Sequence, residues 1–150
     1  MNDEDILCFE LIDRLFGIPV TNAKMILSRQ STYLLPKCPN HIEGIFGYRG
    51  RAIALVKLST LLDLDDAKDR RKRSVDELSA RSIVLHTEDM TAAIEVDAVH
   101  GIIDREEIAI TDPMFCSDGR LLDFVWGEFR MGDRIVILLD PVRLFKEARL

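Results

Sequence analysis

A chain of 150 residues, 47% of them hydrophobic and 31% charged, is long enough for one unit that buries roughly 70% of the surface its unfolded form exposes. Its formal net charge of −6 runs against a general nucleic-acid binder, which needs basic surface to displace counterions from phosphates. No apolar stretch approaches the ~20 residues that span a bilayer, and the start MNDEDIL is acidic where a signal peptide is basic. The sequence therefore predicts a cytoplasmic protein with no direct membrane insertion.

Short strands bounded by turn residues outnumber anything helical. Residues 6–12 alternate, with Ile6, Cys8 and Ile12 on one face and Leu7, Phe9 and Leu11 on the other, and Asp13-Arg14 reads as a hairpin turn into 15–20. Thr21 or Asn22 is placed to cap a brief helical turn at 23–25, after which 26–35 reads as extended until Pro36 and Pro39 interrupt it. Strands resume at 42–48 and 51–58, separated by Gly50 of the motif GIFGYRG at 44–50. Ala52, Ile53, Ala54, Leu55 and Val56 leave neither face polar, which predicts cover on both sides. Ser59 is placed to cap a short helix through Leu61, Leu62 and Leu64.

The charge run DDAKDRRKRSVDE at 65–77 reads as part of a solvated connecting loop near 65–80. Its RRKR at 70–73 is the sequence's one candidate for a basic, anion-seeking patch, but acidic residues flank it on both sides. The run also marks the midpoint: residues 1–73 carry 12 Lys and Arg against 10 Asp and Glu, whereas 74–150 carry 8 against 16. Such asymmetry orients partners more than it binds them.

Beyond the loop the pattern begins again, with strands expected at 82–86, 91–96 and 99–103. GIPVTNA at 17–23 has a counterpart in AIEVDAV at 93–99, and RAIALVKLSTLL at 51–62 matches RIVILLDPVRLF at 134–145. Asp140-Pro141 is a strong helix-start signal, since aspartate accepts from orphan amides and proline at the first helical position gives up none. Val142, Leu144, Phe145 and Ala148 then form an apolar stripe, with Lys146 and Arg149 where the helix dipole favours cations. Two similar sets of short antiparallel strands, each closed by a small helix, predict two small β-barrels. Halves of about 70 residues are uncomfortable alone, which favours one fused unit spanning 1–150.

Residues with reactive side chains are sparse. Cys8, Cys38 and Cys116 are an odd number of widely spaced thiols, suited to reduced and partly buried cysteines. Cys38-Pro-Asn-His41 has a spacing that supplies two zinc ligands, but no second pair completes a tetrahedral set. A Cys/His nucleophile stays open, because such partners meet in space and not in sequence. His86 and His100 read as hydrogen-bonded structural histidines, and Trp126 as core or as an interface anchor.

FGIPV, HIEGIFGYRGRAIALVKLSTLLDL, AAIEVDAVHGI and WGEFRMGDRIVILLDPVRLF, in that order, resemble the CheW-like domain of bacterial chemotaxis coupling proteins, from about residue 6 to 148. The most specific element is Gly44-Ile45-Phe46-x-Tyr48-Arg49-Gly50. The resemblance implies an all-β fold with short helices, two intertwined SH3-like five-stranded β-barrels and a C-terminal helix, with no catalytic activity and no cofactor. It implies an adaptor that links the cytoplasmic tips of chemoreceptors, the methyl-accepting chemotaxis proteins, to the regulatory domain of a CheA-type histidine kinase. By the same resemblance a receptor-facing groove includes Ala23, Met25, Gly44 and Arg49, with Val99 and Ile102. Glycine at 44 lets a partner approach closely; Arg49 either pairs with a partner carboxylate or locks the turn through an internal salt bridge and carbonyl bonds. The chain departs from the family pattern at Gly47, where asparagine is usual, and at Lys57, where aspartate normally follows the aliphatic strand. The alternatives are a coupling protein of another chemosensory system, for example one serving surface motility, and a metal-binding protein using Cys38 and His41.

Overall fold

The computed structural model describes residues 4–64, 78–114 and 119–149; the charge run at 65–77 and Cys116 lie outside the described residues. In chain order the strands are β1 (Ile6–Leu11), β2 (Arg14–Pro19), β3 (Ala23–Ser28), β4 (Ile42–Tyr48), β5 (Arg51–Val56), β6 (Arg81–Thr87), β7 (Met90–Val96), β8 (Ala98–Ile103), β9 (Val125–Met131) and β10 (Arg134–Leu139). Helices are short: α1 (Leu58–Leu61), α2 (Gly119–Leu122) and the C-terminal α3 (Pro141–Ala148). The strands form two five-stranded sheets, a first of order β8-β1-β2-β10-β9 and a second of order β3-β6-β7-β5-β4.

That order displays the internal repeat. Strands β1 to β5 of the first half correspond to β6 to β10 of the second, and each sheet takes two strands from one half and three from the other. The two parallel pairings, β2 with β10 and β5 with β7, fall at matching places where the halves meet within a sheet. The halves are thus intertwined by strand exchange, since a two-stranded ribbon is marginal in water and needs the other half's strands to become a sheet.

The correspondence reaches single residues. In the β4–β5 hairpin the register slips between Gly44↔Leu55 and Ile42↔Val56, and in β9–β10 it slips between Gly127↔Leu138 and Val125↔Leu139. Beside each slip a passing segment adds an isolated bridge, Tyr33 to Ile45 and Thr111 to Glu128. A Cβ built on Gly44 falls 2.6 Å from the Tyr33 carbonyl oxygen, and one on Gly127 falls 2.8 Å from Ile110 Cγ2. Both glycines exist because the chain's own outer segment crosses them at contact distance. At Gly44, where close approach by a partner was expected, the close neighbours within the chain are Thr32 and Tyr33.

Most expected strands are present, and the exceptions have identifiable causes. The first hairpin turns at Ile12-Asp13, with φ of 51° and 58°, one residue before the expected Asp13-Arg14. Two positive φ values match the twist of the flanking strands, although a β-branched residue resists that conformation. Ile12 is held there by burial in the core, at 1% exposure, and by its N–H donating to Asp97 Oδ2 at 2.9 Å. The expected helical turn at 23–25 is instead a 3-10 turn at Val20–Asn22, and Ala23–Ser28 is strand because it crosses to the second sheet and pairs with β6. Cover on both faces of β5 begins at Ile53; Ala52 is exposed.

Helix starts show the sharpest contrast between the halves. Asp140 caps α3 as expected, its Oδ1 accepting from the Val142 N–H at 3.0 Å with Pro141 behind it. The matching position before α1 is Lys57, which has the same extended backbone but makes no side-chain cap, and Ser59 lies buried inside the helix instead of capping it. The backbone N–H groups of Lys57 and Asp140 make equivalent bonds, to the carbonyls of His41 and Phe124.

Between the sheets lies the main core. It joins Phe9, Phe16 and Ile18 of the first sheet to Ile83, Leu85 and Ile94 of the second, with Leu58 and Leu61 from α1, Leu62 just after it, and Leu144, Phe145 and Ala148 from α3. Phe9 and Phe16 stack at 5.8 Å. Each sheet also covers a smaller cluster on its other side: Ile6, Cys8, Leu15, Phe129, Val136 and Leu138 in the first, and Phe46, Ile53, Leu55, Val84 and Ala93 in the second. Alternation along β1 had separated those two destinations, except that Ile12 joins the main core.

Three substitutions test the repeat. Gly44→Ala should lower stability by about 1–3 kcal/mol, as overpacking does, while Gly47→Ala, whose Cβ would meet nothing within 4 Å, should stay within about 0.5 kcal/mol of the parent. Lys57→Asp should raise stability by about 0.5–2 kcal/mol by supplying the missing cap. Urea unfolding of the three variants is the measurement.

Candidate partner-binding surface

A cavity of ≈ 410 Å³ opens at the mouth of the second sheet's smaller core. Met25, Ile53 and Val84 line it with apolar surface continuous with that core, and Tyr48 and Ala52 add to the wall. Lys24, Arg49, Arg51, Asp89 and Thr91 supply the polar lining. Five strands and two turns bring these residues together from positions far apart in the chain. Lys24 and Met25 come from edge strand β3, Arg49 and Arg51 from the β4–β5 hairpin, and Asp89 from the turn into β7.

Arg49 and Gly50 form the hairpin's two-residue turn, at φ 50° and 77°, the geometry that a tight antiparallel hairpin prefers. Arg49 is exposed, and its guanidinium carbon lies 5.2 Å from the centre of the Tyr48 ring, a cation–π contact. The internal salt bridge and carbonyl bonds considered for it do not form with any described residue. Gly50 and the strand ladder hold the turn without them.

The six residues expected in one groove divide into separate environments. Met25 and Arg49 share the cavity. Ala23 and Val99 sit on the corresponding strands β3 and β8, each packed against the main core from a different sheet. Gly44 is interior, at the bulge. Ile102 is 62% exposed on β8, an outer strand of the first sheet. Neither Gly47 nor Lys57 lines the cavity. Lys24 and Arg51 were missed because polar residues on an edge strand and beside a turn carry no periodic signal.

Reactive chemistry does not converge here. Cys8 is fully buried, and burial pushes its thiol up to about 11, opposed by the charge of Arg134. His41 Nε2 lies 2.9 Å from the Ala148 carbonyl oxygen, so the ring closes the last turn of α3. His86 Nδ1 meets Thr91 Oγ1 at 2.7 Å and His100 Nε2 meets Glu10 Oε1 at 3.0 Å, structural roles of the kind expected. Half-buried Glu95 is raised by burial and by neighbouring Glu43 and Asp97, with Arg29 at 3.0 Å opposing. Among the described residues no three His, Cys, Asp or Glu side chains form a group that could hold a metal ion. Trp126 packs against the first sheet's smaller core. No helix is long and apolar enough to cross a membrane among the described residues. Because Cys8 remains a neutral thiol until pH nears 11, iodoacetamide at mildly alkaline pH should leave it unmodified in the folded chain and label it after unfolding. Peptide mass mapping reads the difference, and rapid labelling of native Cys8 would contradict it.

Residues 5–149 match the CheW-like domain family. The chemotaxis protein CheW of Treponema pallidum is 28% identical over 152 residues, covering 100% of this chain and 88% of that one. The chemotaxis protein CheW of Thermotoga maritima is 27% identical, covering 98% and 91%. The crystal structure of the scaffolding protein TtCheW from Thermoanaerobacter tengcongensis matches with a TM-score of 0.75 at 26% identity, over 96% of this chain and 93% of that one. With this match over nearly its whole length and two interleaved five-stranded sheets, the chain belongs to the CheW-like domain family, the non-enzymatic adaptors of chemotaxis.

Proposed function

We propose that this chain is a cytoplasmic coupling protein that holds the tip of a chemoreceptor and the regulatory domain of a CheA-type histidine kinase on one body. The observation that carries the reading is the meeting of Met25 and Arg49 on one open cavity, with Arg49 bonded to no described residue except through the Tyr48 ring. An adaptor acts by raising the effective concentration of one partner near the other, so it needs two surfaces in fixed relation and no chemistry. The Met25–Arg49 cavity on the second sheet is one such surface, suited to the receptor. The outer strand β8, where Ile102 is exposed and Val99 packs against the main core, lies outside the cavity, so it is assigned to the kinase as a second surface instead of to the receptor groove in which resemblance put it; unpaired strand edges and exposed apolar side chains are common docking features.

Pull-down with the tagged chain from the cells that make it should retain a chemoreceptor and a histidine kinase. Arg49→Asn, which tolerates the left-handed turn, should reduce receptor recovery, and Ile102→Asp should reduce kinase recovery with receptor recovery kept. Retention of neither protein, or of nucleic acid alone, would overturn the proposal.

A further inference from the structure

We infer that the cavity at the mouth of the second sheet is a docking site for an acidic, partly apolar protein segment; the source of that segment rests on the adaptor reading. The argument starts from a comparison the molecule makes with itself. Hairpin β9–β10 corresponds to β4–β5, so Arg134 stands where Arg51 stands and Gly132 where Arg49 stands. In the first sheet the arginine is neutralised: Arg134 Nη1 lies 3.4 Å from Glu10 Oε1, and Nη2 donates to the Asp13 carbonyl at 3.0 Å. Glu10 holds His100 as well. In the second sheet Lys24, Arg49 and Arg51 have no ion pair or hydrogen bond to a described residue, and Asp89 is the one carboxylate among the described lining residues. The fold therefore accommodates a paired arginine at this hairpin, and the unpaired cations of the second sheet are not a requirement of folding.

Three cations of like charge around one opening, in a chain whose net charge is −6, favour a carboxylate-bearing visitor and steer it there. The cation–π contact of Arg49 with Tyr48 holds the guanidinium over the ring without using its N–H groups, which leaves them available to a carboxylate. The apolar floor narrows the ligand further. A phosphate chain would leave Met25, Tyr48 and Ala52 uncovered, while a purely apolar segment would strip water from the cations without replacing it. A volume of ≈ 410 Å³ suits a few side chains, and a segment in which aliphatic and acidic residues alternate satisfies floor and rim together.

The probe is a short fluorescein-labelled peptide of alternating Leu and Glu, with Leu–Gln and Leu–Lys counterparts, titrated by anisotropy against the whole chain at low salt. The Leu–Glu peptide should bind, and its Leu–Gln counterpart should bind at least about tenfold more weakly. Arg49→Asn and Arg51→Gln should each weaken binding about threefold to tenfold with unchanged circular dichroism, and Arg134→Gln should leave it unaltered. No binding by the parent chain, equal binding by the two cavity variants, or an equal loss in Arg134→Gln would overturn the inference. So would displacement of the peptide by duplex DNA as effective as by unlabelled peptide, or a dimer in sedimentation that Arg49→Asn abolishes. The adaptor reading is scored separately by pull-down. Peptide binding without capture of receptor or kinase would discard the named partners and keep the site. Capture undiminished in the Arg49→Asn, Arg51→Gln double variant would discard the site and keep the adaptor.

Discussion

The exchange of strands between halves governs the rest of the structure, because β1–β2 and β6–β7 are each a ribbon that becomes a sheet only when three strands of the opposite half join it. Everything apolar is arranged around that dependence. The main core draws from both sheets and both flanking helices at once, so it forms only when the exchange is complete. Burial of this kind is the dominant favourable contribution to folding, and here it cannot be assigned to either half.

The repeat makes its own controls. Two hairpins of equal length share one bulge position, one glycine and one bridging outer segment, which separates what the architecture demands from what each half has done with it. Gly44 and Gly127 belong to the first category, since the passing chain leaves no room for a side chain. Lys57 against Asp140, and Arg51, without an ion pair to a described residue, against neutralised Arg134, belong to the second. Residues that differ between matched positions are where the two halves have acquired separate duties.

The paired aliphatic runs at 51–62 and 134–145 and the Asp140-Pro141 start were legible in the sequence, because strand propensity, helix capping and burial all pointed the same way at those residues. Residues 20–28 were misread for a physical reason: Thr21 and Asn22 are good local caps, but pairing with β6 is a long-range interaction that overrides local preference. Ile12 was assigned to the strand because it extends the alternation of 6–11, and only the core around it explains why it accepts a left-handed turn instead. Of the candidate surface, Met25 and Arg49 were found through resemblance. Lys24, Arg51 and Tyr48 needed coordinates, since edge and turn positions obey no repeat spacing.

The two crossings between sheets are short and firmly tied. The chain passes from β2 to β3 through Val20–Asn22, where the Val20 N–H donates to the Asp5 carbonyl at 2.9 Å, and from β7 to β8 through Asp97, whose N–H donates to the Glu10 carbonyl at 2.9 Å. A body stitched twice in this way favours a fixed relation between the two sheets over a hinged one, since a swing of either sheet would have to break the bonds that hold both crossings.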